Sequence, residues 1–72
     1  MRADPDDVEA HYNFGVLLND LKRYDEAEKE YRETIRIYPD HIGAHNNLGV
    51  LLRDLKRYDG AEKEYREAMR AD

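Results

Sequence analysis

Apolar residues return along this chain every three or four positions, the spacing that lays them along one side of a helix. Val8, Phe14, Val16, Leu17, Leu18 and Leu21 mark a first helix over about residues 7–21. Pro5 precedes it, Asp6 offers a capping oxygen, and Glu9 stands three residues on, the layout of a capping box. A second helix is predicted over about 24–37, carrying Ala27, Tyr31, Thr34, Ile35 and Tyr38 towards the interior. Its other side sets Glu28 against Arg32 and Lys29 against Glu33 at i,i+4, and Pro39 ends it. The same plan returns at about 41–55 and 58–71. No stretch alternates with period two, so no strand is expected. The fold class is all-α, as two stacked antiparallel helix-turn-helix hairpins.

The second half is a copy of the first. A shift of 34 residues lays Pro5 on Pro39, Ala10-His11 on Ala44-His45, and Gly15 to Leu18 on Gly49 to Leu52. It also lays Asp20 to Asp25 on Asp54 to Asp59, and Ala27 to Glu33 on Ala61 to Glu67, residue for residue. Chance does not produce runs of this length. Residues 1–72 therefore make one domain of two repeats, 5–38 and 39–72. The tetrapeptide Met-Arg-Ala-Asp stands at both 1–4 and 69–72, in the same phase of the repeat. The chain is accordingly expected to be a fragment of a longer array, with a complete two-repeat protein as the alternative.

Composition narrows the function more than it narrows the fold. Charged residues make up 40% of the chain with both signs interleaved, which suits solvated helix faces. A net charge of −5 speaks against binding a phosphate backbone, so no nucleic-acid partner is expected. No apolar run is long enough to cross a membrane, and the first residues lack the apolar core of a signal peptide. A soluble, cytoplasmic protein with no membrane partner is expected. With no cysteine, neither a disulfide nor a thiolate metal site can supplement the core.

Catalytic constellations are weak. His41 and His45 stand at i,i+4, a spacing that can chelate a transition metal, but nothing completes a ligand set. The four glycines are scattered, so there is no phosphate loop; there is no serine, and the one threonine, Thr34, sits within a helix. No enzyme, no metal and no cofactor is expected.

A 34-residue helix-turn-helix unit with this pattern resembles the tetratricopeptide repeat family. That family's signature is Trp-x2-Leu-Gly-x2-Tyr, then Ala-x3-Phe, then Pro. It stands here as His11-x2-Phe14-Gly15-x2-Leu18, Ala27-x3-Tyr31 and Pro39, and again as His45-x2-Leu48-Gly49-x2-Leu52 and Ala61-x3-Tyr65. Histidine replaces tryptophan and leucine replaces tyrosine in both copies. The resemblance implies that Gly15 and Gly49 let paired helices approach, that Ala27 and Ala61 keep the facing side small, and that Phe14 or Leu48 with Tyr31 or Tyr65 fill the space around.

The resemblance also implies a superhelix whose concave face is lined by the first helix of each repeat. The positions facing that groove are Tyr12, Asn13, Val16 and Asn19, then Asn46, Asn47, Val50 and Arg53, flanked by Glu9 and Gly43. The implied function is a protein-protein interaction scaffold that takes a peptide or protein segment on this face. Apart from Arg53 the groove lacks the basic residues that would clamp a carboxylate terminus. The alternative is a self-assembling structural module, a homo-oligomer or domain-swapped dimer, joined through Tyr58, Ala61, Tyr65, Ala68 and Met69 on the last helix.

Overall fold

Asp7 starts the first helix. Its backbone is extended, and its carboxylate accepts from the N–H groups of Glu9 (3.0 Å) and Ala10 (3.2 Å), two donors that the helix itself leaves without partners. The expected cap, Asp6, lies outside residues 7–71, which the computed structural model describes. Two aspartates are adjacent, and the one next to the helix reaches the amides. One repeat later the same office falls to His41, whose Nδ1 accepts from the Ala44 N–H at 3.0 Å.

Four helices follow: α1 Val8–Asp20, α2 Tyr24–Ile37, α3 Ile42–Asp54 and α4 Tyr58–Ala71, with no strand among the described residues. Helix α2 stops as Tyr38 turns extended, the conformation a residue before proline prefers.

The turns inside the two hairpins are built alike. The Lys22 N–H donates to the Asn19 carbonyl (3.0 Å) and the Arg23 N–H to the Leu18 carbonyl (2.9 Å); Lys56 and Arg57 repeat this on Arg53 and Leu52. This double bond pattern closes a helix with a left-handed residue, and here that residue is lysine, at φ 62° and 64°. A side chain is strained in that region where glycine is not. Glycine at Lys22 or Lys56 is therefore expected to add up to about 1 kcal/mol of stability each. A thermal midpoint that failed to rise in either variant would show the turn to be unstrained.

Packing joins chain neighbours. α1 lies on α2 and α3 on α4 as the two hairpins; α2 also lies on α3, α1 touches the edge of α3, and α4 touches α3 alone. The core runs through the middle as Leu18, Ala27, Tyr31, Leu48, Leu51, Leu52 and Ala61, with Tyr12, Val16, Tyr24, Ile35, Leu55 and Tyr65 against it.

The atoms nearest Gly15 and Gly49 belong to the Tyr31 and Tyr65 rings; a Cβ on either glycine would come within 2.7 Å of a ring carbon. The glycines make room for these rings, and Ala27 and Ala61 stand buried in the same core. Two expectations about the interior change. Phe14 is exposed, because no helix among the described residues covers it, whereas its counterpart Leu48 is fully buried. Tyr38 is exposed as well: it lies past the last turn of α2, with its ring edge-on to His41 at 6.1 Å.

Candidate functional site

Helices α1 and α3 lie side by side, and Tyr12 ties them together. Residues 12, 16 and 19 share one face of α1 by their three- and four-residue spacing. The Tyr12 ring sits 4.7 Å from that of His41 and 6.2 Å from that of Tyr31, and its hydroxyl accepts from Asn47 Nδ2 at 3.1 Å. Gly43 makes the contact feasible, since a Cβ there would meet the Tyr12 oxygen at 2.9 Å. Burial pushes the Tyr31 phenol above its ordinary pKa, with a hydrogen bond to Asn47 opposing. The Asn47 amide thus braces Tyr12 at the seam.

Around this strut the expected groove residues divide by exposure. Asn13, Asn46 and Arg53 are exposed, with Arg53 reaching only its neighbour Asp54 at 3.3 Å. Val16 and Val50 are half-buried, and Val16 packs on the core. Asn19 is half-buried too, and its Oδ1 is shut away from solvent with no hydrogen-bond donor among the described residues. Glu9 closes one end of the seam, its carboxylate 3.4 Å from His41 Nε2.

The residues expected at an outer interface also divide. Tyr58 and Met69 are exposed. Ala61 and Ala68 are buried, and since α4 touches only α3, they face inwards. The Tyr65 ring is half-buried over Gly49.

The histidines serve the fold. His45 is buried between a 2.7 Å contact from Nδ1 to Glu64 Oε1 and another of 2.7 Å from Nε2 to the Pro39 carbonyl. His11 meets Glu30 at 2.7 Å in the same way. His41 and His45, the pair with chelating spacing, spend their nitrogens on a helix cap, two carboxylates and a carbonyl. No group of three or more metal-ligating side chains comes together among the described residues. Glu30 and Glu64 were not singled out in the sequence, although each follows its histidine by 19 residues in both copies.

A family model described as tetratricopeptide repeat matches residues 6–72. The chain belongs to the tetratricopeptide repeat family. A solved structure titled "Crystal structure of MamA" superposes with a TM-score of 0.92 at 25% identity, over 94% of this chain and 40% of that one. This chain thus spans about two fifths of the length of that protein. Comparison with curated proteins found no significant match. Tetratricopeptide repeats are protein-protein interaction modules, and the fold is a non-enzymatic scaffold. Among the described residues no helix is long and apolar enough to cross a membrane.

Proposed function

We propose that this tetratricopeptide repeat chain holds an extended peptide or protein segment on the face made by α1 and α3. The observation that carries the reading is the pair of exposed amides, Asn13 on α1 and Asn46 on α3, beside the half-buried Val16 and Val50. These amides both donate and accept, as a peptide backbone does. Arg53 is the one cation of this set, so the ligand is held along its backbone rather than by a terminal carboxylate. The Thr34 hydroxyl is buried and donates to the Glu30 carbonyl at 2.9 Å.

Peptides selected on the wild-type chain from a random library provide the probe. Replacing Asn13 and Asn46 together by alanine is expected to weaken them by about 1–3 kcal/mol, with helix content unchanged because both side chains are exposed. Peptides that hold the double variant as tightly as the wild type would move the site elsewhere.

A further inference from the structure

The two outer helices of this chain carry the two halves of an interface that already exists inside it. Within the molecule, α2 covers α3: Leu48 and Leu51 are fully buried there. The Arg57 guanidinium donates two bonds, of 2.9 and 3.2 Å, to the Glu28 carboxylate, which Arg32 also holds at 2.9 Å. That double clamp keeps Glu28 below its ordinary pKa although burial opposes it.

One repeat earlier, the counterparts of Leu48 and Leu51 are Phe14 and Leu17 on α1, 47% and 51% exposed. Arg23 is the counterpart of Arg57. One repeat later, the counterparts of Tyr24 and Ile35 are Tyr58 and Met69 on α4, 61% and 69% exposed. Glu62 is the counterpart of Glu28, and Arg66 already holds it at 2.7 Å, as Arg32 holds Glu28. α4 therefore bears the face that α2 uses, and α1 the face that α3 uses. Both are uncovered among the described residues.

We propose that α4 of one copy of this chain packs on α1 of a second copy in the register of the internal α2–α3 contact, with Arg23 of one forked onto Glu62 of the other. The occupant is a second copy because its surface continues the internal interface and supplies the opposite charge at the matching position. Among the described residues of one chain Arg23 is held by Glu26 alone, an exposed i,i+3 pair worth little, and is easily redirected. The contact joins unlike faces, so it extends head to tail into short filaments. It goes beyond peptide binding on the α1–α3 face and does not depend on it.

Sedimentation across about a hundredfold range of concentration tests the contact. Mass is expected to rise with concentration for the wild type, and Leu17→Glu, at an exposed position, is expected to weaken association about tenfold or more with helix content intact. Arg23→Glu and Glu62→Arg should each weaken it alone, since each sets like charges face to face. An equimolar mixture of these two variants restores association, because every junction in an alternating assembly again pairs arginine with glutamate. A constant monomer mass overturns the proposal. So does association that Leu17→Glu leaves untouched, or that the mixture fails to restore, as an exchanged dimer would show.

Discussion

Leucine in place of Gly15 is expected to remove most of the stability of this domain. A Cβ at that position would lie 2.7 and 2.9 Å from two carbons of the Tyr31 ring, and Tyr31 is fully buried, so the ring has nowhere to retreat. Overpacking of this kind costs about 1–3 kcal/mol and more where relaxation is blocked. A chain of 72 residues has little above that to lose. Leucine at Gly49 meets the same clash with Tyr65, but that ring is half-buried on the outer helix and can swing towards solvent. The Gly15 variant should therefore melt lower than the Gly49 variant, and both below the wild type by several degrees for each kcal/mol lost. Neither glycine has a positive φ, so the effect is steric and not conformational. Equal melting of all three proteins would refute the packing of ring on glycine.

Breaking the His45–Glu64 pair is expected to cost about 3 kcal/mol, the usual penalty for leaving one member of a buried ion pair alone. Both ring nitrogens point at acceptors, the Glu64 carboxylate and the Pro39 carbonyl. A neutral imidazole can donate to only one of them. Burial pulls the His45 pKa down, but the Pro39 carbonyl, then Glu64, then the nearby charge of Glu67 outweigh it and hold the ring above its ordinary 6.5. Arg32 and Lys63 line the same cleft with the opposite sign. With the folded-state pKa raised, this contribution is complete below about pH 6.5 and is lost as pH climbs through the folded value. Denaturant unfolding of the wild type should accordingly show stability falling as pH rises above about 6.5, and Glu64→Ala should reduce that fall as well as lowering the whole curve. A slope wholly unchanged in the variant would place the titration on another group. On the acid side Glu28, held low by Arg57 and Arg32, contributes stability that is lost as pH falls below 4.5.

The helical architecture was legible because it is written twice: a spacing that recurs after 34 residues has few readings, and the glycine, alanine and proline positions narrow them further. What escaped was the choice among neighbours of equal chemistry. Asp6 and Asp7 are both good caps, and only the path of the backbone shows which carboxylate meets the amides. Phe14 and Leu48 look interchangeable in the repeat, yet one is exposed and the other sealed, because burial depends on which helix stands in front. Tyr12 read as a free binding surface and proved to be half spent on bracing α1 against α3. The carboxylate partners of His11 and His45 lie on another helix, so spacing along one helix could not reveal them.

Helix α3 alone has helical neighbours on three sides, while α4 rests on a single partner. Free energy of local opening in such a stack is set by the number of interfaces a helix must give up. Order should therefore grade outwards from α3, with α4 able to unwind while the other three helices stay assembled. Since the contacts join segments close in sequence, the loops that must close during folding are short, and the barrier to assembly is correspondingly low. The chain behaves less like a solid body than like a short zipper with its slider held at the third helix.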